Sequence, residues 1–373
     1  MLTALYNTLI VADGNITGDK AVIIEDNQIR AVTPVLEIPA QAERIDLKGA
    51  YLAPGLIDLQ IYGAGGALFG GNPSVEALQR MEADLLPKGT TGFFATVATN
   101  SDEVVLDAIE AAKAYRPKAV GSFLGLHLEG PYINPARKGA HPEKYIKKAT
   151  LSEIKQWIEM AAGEIKMITL APELQDQEVL DYLQQQNIIL SSGHSDATYQ
   201  QIKSFIGNPI QAITHLYNAM PPIHHRAPGI IPAVFEAKPY TSIVADGVHV
   251  DYAMIALAKR ELGDKLFLIT DAVTETDQGT YQHRLAGNRY VMPDGTLSGS
   301  ALTLLKAVQN CVQHVGVTLP EAVNMASLYP AQLAMLITKG KVEAGYDADL
   351  IIFDAEFNIQ FTLYKGKVYR KSN

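Results

Sequence analysis

The sequence of 373 residues contains a single cysteine, Cys311, and no apolar run long enough to cross a membrane. One cysteine excludes an intrachain disulfide framework and a cysteine-rich metal site, and it is typical of a reducing compartment. A membrane-spanning helix needs about 18 or more consecutive apolar residues. The first cationic residue is Lys20, so we expect no secretory signal peptide. These absences predict a soluble cytoplasmic protein.

Positive charge is also in short supply, with 31 Lys and Arg against 40 Asp and Glu and a net charge of -9. Such a balance disfavours nucleic acids and anionic membranes as general partners. If the substrate is an anion, local cations must bind it. The composition, 47% hydrophobic and 19% charged, is typical of a chain that buries a sizeable core.

From Pro54 onward, apolar strand patterns alternate with amphipathic helix patterns. Eight such strands favour an α/β fold, a (β/α)8 TIM barrel, over a doubly wound sheet, since no G-x-G-x-x-G follows a strand. The predicted strands are 56–62, 91–96, 122–129, 166–171, 188–192, 212–217, 241–245 and 266–270. The clearest predicted helices are 74–86, 102–115, 150–162, 177–186, 197–206 and 251–262.

The two ends of the chain read as short strands separated by turns. Residues 1–53 are too few to form a stable core alone, so we expect them to join 346–373 in one small β-domain, with the barrel as 54–345. The predicted strands are 2–11, 21–25, 29–32, 44–47, 349–353, 359–364 and 367–369, and helices are predicted at 302–315 and 320–336.

Three predicted barrel strands end in residues that ligate metals: Glu129, His194 and His215. The active site of such a barrel lies at the carboxyl ends of its strands, so we expect these side chains to meet there. Three protein ligands leave a fourth position for water, which is the arrangement of a catalytic metal site. His127, inside its strand, is interpreted as a core residue.

A metal that lowers the pKa of its bound water towards about 7 produces a nucleophile, and the reaction then needs a proton acceptor that is not a ligand. Asp271, at the end of the eighth strand, is the candidate for this general base and later general acid. His141 lies in a loop that could fold over the site and help to polarise a carbonyl group.

Six segments resemble the N-acetylglucosamine-6-phosphate deacetylase family of the amidohydrolase superfamily. In order, they are 54–60 (Pro-Gly-Leu-Ile-Asp-Leu-Gln), 127–131 (His-Leu-Glu-Gly-Pro), 193–195 (Gly-His-Ser), 214–220 (Thr-His-Leu-Tyr-Asn-Ala-Met), 245–249 (Ala-Asp-Gly-Val-His) and 270–272 (Thr-Asp-Ala). The likeness extends over nearly the whole chain.

The resemblance implies a barrel with a small β-sandwich built from both termini. It also implies metal-dependent hydrolysis of the acetamide of N-acetyl-D-glucosamine 6-phosphate to acetate and D-glucosamine 6-phosphate. Glu129, His194 and His215 would bind the metal, Asp271 would transfer protons, and His141 would contact the substrate carbonyl. The substrate would also contact Ala140, Asn218, Ala219, Asp246, Gly247, Val248, His249, Leu297, Ser298 and Gly299. Arg226 would hold the phosphate from the neighbouring subunit of a homodimer.

Two departures from this family and superfamily pattern matter. Gln60 and Tyr62 occupy the first-strand positions where many amidohydrolases carry His-x-His for a second metal, so we expect one divalent ion per subunit. Imidazole and carboxylate suit zinc and also iron; we expect zinc, with Fe²⁺ as the alternative. The loop 273–277 is polar and acidic where the family has an apolar loop.

Three alternatives stay open at this point. The chain could deacetylate N-acetylgalactosamine 6-phosphate, because the epimer of the sugar is not readable from the residues. It could hydrolyse another amide, such as a cyclic one. It could also be a catalytically silent barrel with a structural or interaction role, which the intact set of Glu129, His194, His215 and Asp271 disfavours.

Overall fold

The computed structural model describes residues 2–12, 14–277 and 279–371. Their contacts group them into two compact units. The first comprises the described parts of Met1–Asp58, Ala83–Gly92 and Thr303–Asn373, and the second comprises Leu59–Glu82 and Phe93–Leu302. The domain limits expected from the sequence, 1–53 with 346–373 and 54–345, stay a prediction.

The chain begins with seven short strands of the first unit. They are β1 (Leu2–Tyr6), β2 (Leu9–Ala12), β3 (Asn15–Thr17), β4 (Lys20–Glu25), β5 (Gln28–Pro34), β6 (Glu43–Asp46) and β7 (Tyr51–Pro54). Four of them form a sheet in the order β5-β4-β1-β6. The predicted single strand 2–11 is wrong. It is two strands, because Asn7 has a φ of 53°, which takes the backbone out of the extended region.

An eight-stranded sheet in the order β17-β16-β15-β14-β13-β12-β11-β8 follows. Its members, with the short pair β9 and β10, are β8 (Leu56–Ile61), β9 (Gly63–Ala64), β10 (Ala67–Leu68), β11 (Thr90–Ala98), β12 (Phe123–Glu129), β13 (Ile165–Leu170), β14 (Ile189–Ser192), β15 (Ala212–Ile213), β16 (Tyr240–Val244) and β17 (Leu266–Ile269). A parallel bridge between Ile61 and Ala272 joins the ends of β8 and β17. All six residues of β8 are buried, as expected for a parallel strand covered on both faces. The predicted (β/α)8 barrel is confirmed.

Helices connect the barrel strands. They are α1 (Val75–Leu85), α2 (Asp102–Tyr115), α3 (Leu151–Ala161), α4 (Gln177–Gln185), α5 (Tyr199–Phe205), α6 (Ile230–Ala237) and α7 (Tyr252–Leu262). Side-chain caps fix several starts: the hydroxyl of Thr150 accepts from the Glu153 N–H, and Thr198 with Gln201 makes a reciprocal capping box. Helix α6 was not predicted, because its sequence carries Pro232 and is apolar on nearly every side.

After β17, a three-stranded antiparallel sheet precedes the last helices. Its strands are β18 (Arg284–Ala286), β19 (Arg289–Val291) and β20 (Leu297–Ser300). Sequence analysis did not predict this sheet, since its first two strands are three residues long and contain no buried residue.

The last helices are α8 (Leu304–Asn310), α9 (Leu319–Ala326) and α10 (Leu328–Leu333), and α8 continues as a π-helical turn, Cys311–Val315. The single helix predicted over 320–336 is wrong. The chain turns at Ser327, whose φ is -133°, and Pro330 cannot donate a backbone hydrogen bond to the preceding turn.

The chain ends with β21 (Leu350–Phe353), β22 (Ile359–Tyr364) and β23 (Lys367–Tyr369). These strands complete a six-stranded sheet in the order β23-β22-β21-β7-β2-β3, in which β21 pairs antiparallel with β7. Strands from both termini therefore share one sheet and one apolar cluster, which includes Leu5, Ile10, Leu52, Leu350 and Leu363.

Among the described residues, the helices are too short or too polar for any of them to pass through a lipid bilayer.

Candidate active site

Glu129 is the last residue of β12, and its carboxylate lies at the centre of a cluster of polar side chains although it is only 1% exposed. Its Oε1 lies 3.0 Å from His215 Nε2 and 3.5 Å from His194 Nε2. Its Oε2 lies 3.2 Å from His141 Nε2. Burial alone would raise the pKa of the Glu129 carboxyl, but the adjoining imidazoles of His141, His194 and His215 hold that pKa well below its usual range.

The two histidines from the ends of β14 and β15 face each other. His194 Nε2 and His215 Nε2 are 3.1 Å apart. A backbone carbonyl can only accept, so the 2.8 Å contact between His194 Nδ1 and Arg137 O identifies Nδ1 as the protonated nitrogen of the neutral ring. The Nε2 lone pair of His194 is then directed at the cluster, which is the orientation a metal ligand requires.

These three side chains fit a divalent cation. Ligand atoms bonded at about 2.0–2.1 Å in a tetrahedron lie about 3.3 Å apart, and Glu129 Oε1, His194 Nε2 and His215 Nε2 are separated by 3.0, 3.1 and 3.5 Å. Ligand atoms of Glu129, His141 and His194 also lie within 4.8 Å of one another. The predicted ligands are thus brought together, with His141 on the other carboxylate oxygen.

Gln60 and Tyr62 surround the carboxylate from the first barrel strand. The Tyr62 hydroxyl donates to Glu129 Oε2, while Gln60 Nε2 lies 2.9 Å from both Glu129 Oε1 and Asp271 Oδ1. Burial and the neighbouring charge of Glu129 raise the pKa of Tyr62 well above its usual value. Tyr62 therefore stays a protonated donor, and the Gln60 amide nitrogen cannot ligate a metal.

Asp271 lies beside this cluster, just beyond β17. His249 connects it to Asp246: His249 Nδ1 is 2.6 Å from Asp246 Oδ2, and His249 Nε2 is 3.6 Å from Asp271 Oδ2. Burial raises the pKa of Asp271, and the charge of Glu129 adds to that effect, whereas His249 opposes it. An aspartate with a raised pKa close to a carboxylate with a lowered one is the pattern of an acid–base residue beside a charged group.

The backbone is strained where these residues leave their strands. His194, His215 and Asp271 have φ values of 48°, 33° and 54°, in a region that residues other than glycine rarely adopt. Tyr217 and Ala219, near His215, also have positive φ. Such conformations persist only where the surrounding structure enforces them, and they concentrate at functional sites.

His127 and His141 have different environments, although burial lowers the pKa of each to about 4. His127 lies within β12, where Nδ1 donates to Leu59 O and Nε2 contacts Thr169 Oγ1 at 2.7 Å. It is a hydrogen-bonded core residue, as its position predicts. His141 has a buried Nδ1 without a hydrogen-bond partner in the described part of the chain.

The cluster opens into a cavity of about 290 Å³. The predicted substrate residues that line it are Ala140, His141, Asn218, Ala219, His249, Leu297, Ser298 and Gly299. Asp246, Gly247 and Val248 do not line it; Asp246 instead accepts hydrogen bonds from the Val248 and His249 amides. Arg226 is exposed in a separate loop and does not line the cavity of its own chain.

Several residues of the cavity wall were missed by sequence reasoning, and Tyr281 and His283 are the two among them that carry polar rings. They are two positions apart, an alternation that places both side chains on one face of an extended segment. That spacing is the one signal in the sequence that could have identified them.

The sequence of this chain matches two family profiles and several curated proteins. The amidohydrolase family profile matches residues 51–369, and the NagA composite domain profile matches residues 4–52. The N-acetylglucosamine-6-phosphate deacetylase of Haemophilus influenzae is 34% identical over 98% of this chain and 99% of its own, and that of Bacillus subtilis is 32% identical over 96% and 95%.

Solved structures agree with these relatives. The crystal structure of the Pasteurella multocida N-acetylglucosamine-6-phosphate deacetylase superposes with a TM-score of 0.94 at 35% identity, covering all of both chains. A mutant of the Mycobacterium smegmatis enzyme in complex with N-acetyl-D-glucosamine-6-phosphate superposes with a TM-score of 0.90 at 26% identity, covering 99% of this chain and 100% of the other. The chain therefore belongs to the amidohydrolase family, and the two curated relatives named above, which it matches over almost their whole length, are N-acetylglucosamine-6-phosphate deacetylases.

Proposed function

We propose that the protein hydrolyses the acetamide of N-acetyl-D-glucosamine 6-phosphate to D-glucosamine 6-phosphate and acetate. The observation that carries this proposal is the convergence of Glu129, His194 and His215 beside Asp271 at the open end of an amidohydrolase barrel. The curated relatives are named for the same reaction.

We assign Glu129, His194 and His215 as ligands of one divalent ion, with zinc as the proposed metal. When bound, such an ion polarises a carbonyl group and lowers the pKa of water towards about 7. Tyr62 and Gln60 support a single ion, because both act as hydrogen-bond donors to the cluster and neither offers a second metal a charged ligand.

Asp271 transfers the proton. It accepts a proton from the attacking water as the oxygen adds to the acetamide carbon, and it donates that proton to the sugar nitrogen as the C–N bond breaks. Burial raises the pKa of Asp271 above the usual aspartate value, which favours its taking up a proton and passing it on. The Gln60 amide, 2.9 Å from Asp271 Oδ1, orients the carboxyl group from the opposite side to His249.

His141 stabilises the carbonyl oxygen. Its Nε2 faces Glu129 Oε2 at 3.2 Å, and a carboxylate only accepts, so this nitrogen carries the proton of the neutral ring. An amide oxygen bound next to the carboxylate competes for that hydrogen, and the donor gains strength as negative charge develops on the oxygen.

We further propose a homodimer in the cytoplasm. Arg226 is exposed and lies outside its own cavity, which supports its delivery to the cavity of a second copy, where a guanidinium can hold the phosphate bidentately. Ala140, Asn218, Ala219, His249 and the segment 297–299 then surround the sugar. With Cys311 as its single cysteine, the chain can form no intrachain disulfide, in keeping with a reducing compartment.

Acetate release from N-acetyl-D-glucosamine 6-phosphate by the purified, zinc-loaded protein tests this proposal. We expect turnover that disappears after chelation and returns with zinc. N-acetylgalactosamine 6-phosphate, assayed in parallel, separates the epimers by kcat/KM. Protein that binds zinc but releases no acetate from the gluco substrate would contradict the proposal.

A further inference from the structure

One wall of the cavity, formed by Val273, Tyr281, His283 and residues 296–299, carries a histidine that the proposed mechanism does not use. His283 lines the cavity and is only 3% exposed. It lies directly before β18, in the part of the chain that sequence analysis did not assign to any strand. A buried imidazole in a substrate cavity needs a partner for each ring nitrogen or a ligand that provides one.

Only one of the two nitrogens of His283 is satisfied. Nδ1 lies 2.9 Å from the Ser298 hydroxyl. Within the described residues, Nε2 makes no hydrogen bond, and it is not among the buried side-chain atoms that lack a partner, so it is accessible to a ligand. Ser298 is itself a residue of the cavity wall, so the bonded pair holds the ring at the edge of the space that a sugar would fill.

Aromatic neighbours fix the orientation of this ring. Tyr281 stacks on His283 with ring centroids 5.8 Å apart and an interplanar angle of 17°. The Tyr281 hydroxyl donates to Thr99 O at 2.8 Å, which anchors the stack to the end of β11. The ring of Tyr290 lies edge to face with the His283 ring, with ring centroids 6.5 Å apart. The imidazole is thus held in place before any ligand binds.

The ring is also uncharged at neutral pH, because burial lowers the pKa of His283 to about 4. A neutral imidazole makes hydrogen bonds to hydroxyl groups but lacks the charge that strengthens pairing with a phosphate. This distinguishes His283 from Arg226, the proposed phosphate residue.

We propose that His283 is a specificity-determining residue whose Nε2 hydrogen-bonds a hydroxyl group of the sugar ring. This inference rests on the proposed function, since it names a further contact of the same substrate. It adds His283 to the wall that holds Ser298, one of the substrate residues implied by the family resemblance.

Two near-isosteric substitutions separate the roles of the two nitrogens. The amide nitrogen of glutamine in His283→Gln reaches the position of Nε2, whereas the asparagine amide in His283→Asn reaches only that of Nδ1 and can keep the Ser298 bond. We expect KM to stay within about 3-fold for His283→Gln and to rise about 10-fold or more for His283→Asn and His283→Phe, with kcat within about 3-fold. A purely structural role predicts the reverse order for Gln and Asn and would overturn the inference.

The phosphate provides a second test. Unphosphorylated N-acetyl-D-glucosamine keeps the ring hydroxyls but lacks the anion. We expect the loss of kcat/KM in His283→Asn to be the same for both substrates, and the loss in Arg226→Ala to shrink strongly without the phosphate. A His283→Asn defect that vanishes with the unphosphorylated sugar would assign the residue to the phosphate and contradict the inference.

Failure of the inference differs from failure of the proposed function. If the proposed function is wrong, wild-type protein releases no acetate. If only the His283 contact is wrong, wild-type protein is active and the His283 variants have the same KM as wild type. If the variants do not fold, a ¹H–¹⁵N spectrum of histidine-labelled wild type with D-glucosamine 6-phosphate decides. We expect the Nε2 signal of His283, assigned through the contact of its ring with the stacked Tyr281 ring, to shift. The absence of any such shift would overturn the inference.

Discussion

Glu82 and Glu129 are two buried glutamates of the same compact unit, each 1% exposed, and they differ in what surrounds them. Glu82 accepts from the amides of Val120, Gly121, Ser122 and Phe123 and from the hydroxyls of Tyr115 and Ser122. Glu129 faces three imidazoles, a phenol and an amide.

The difference shows how burial of a carboxylate can serve structure or chemistry. Glu82 accepts hydrogen bonds from consecutive backbone amides before β12. Its carboxylate therefore holds this turn in place, and both of its oxygens have hydrogen-bond donors. Imidazoles offer lone pairs as well as protons, and the ring geometry around Glu129 matches the spacing of ligands around one cation. A carboxylate beside imidazole nitrogens at ligand spacing is a candidate metal site, whereas one bonded only to N–H and O–H donors has a structural role.

The largest effect is expected where the comparison predicts a metal. Glu129→Gln removes the charged ligand while preserving the shape of the side chain. We expect at least about a 10⁴-fold loss of kcat/KM together with loss of the bound ion, measured by acetate release and elemental analysis. If Glu129→Gln kept a full equivalent of metal and wild-type activity, Glu129 would not be a metal ligand and would not differ in role from Glu82.

The second largest loss of activity is expected at Asp271, which lies beside Glu129 but is not a proposed metal ligand. Asp271→Asn should lower kcat by about 10²- to 10⁴-fold, because the amide cannot accept the proton of water. Metal content should equal that of wild type. A kcat within about 3-fold of wild type would exclude Asp271 from proton transfer.

Glu82→Gln should have the opposite profile. The amide presents N–H groups to backbone N–H groups, so we expect the free energy of unfolding to fall by about 2–4 kcal/mol. Denaturant unfolding measures this loss. At 25 °C, kcat/KM of the folded variant should stay within about 3-fold of wild type, and a large loss of activity without a loss of stability would contradict the structural role.

The smallest effect is the pH dependence of that stability. Burial would raise the pKa of Glu82, but the Tyr115 hydroxyl and the backbone amides outweigh it and lower the pKa below its ordinary 4.5. A depressed folded-state pKa contributes stability that is present above about pH 4.5 and is lost as the pH falls through the lower folded value. Wild type should therefore lose stability more steeply than Glu82→Gln on acidification below about pH 4.5. Parallel slopes in urea unfolding would contradict this assignment.

The order of the barrel strands and the convergence of the proposed ligand residues could be predicted from the sequence because both follow from local patterns. Each strand is an apolar run ended by a turn, and Glu129, His194 and Asp271 come directly at or after such an end. The topology of a parallel barrel then brings these ends to one side without further information.

The features that the sequence did not predict depend on contacts between residues far apart in the chain. The sheet β18–β20 is stabilised by cross-strand pairing of short, exposed segments, which leaves little periodicity to detect. The position of His283 depends on its bond to Ser298, 15 residues away, and on the stack with Tyr281. Gln60 lies between Glu129 and Asp271 only because the first and last barrel strands meet when the barrel closes.

Anomalous diffraction from a zinc-loaded crystal, recorded on both sides of the zinc edge, tests the central claim directly. We expect one peak per chain within about 2.0–2.2 Å of Glu129 Oε1, His194 Nε2 and His215 Nε2. A peak bound by other side chains, two peaks sharing Glu129, or no peak at this site in metal-loaded protein would contradict it.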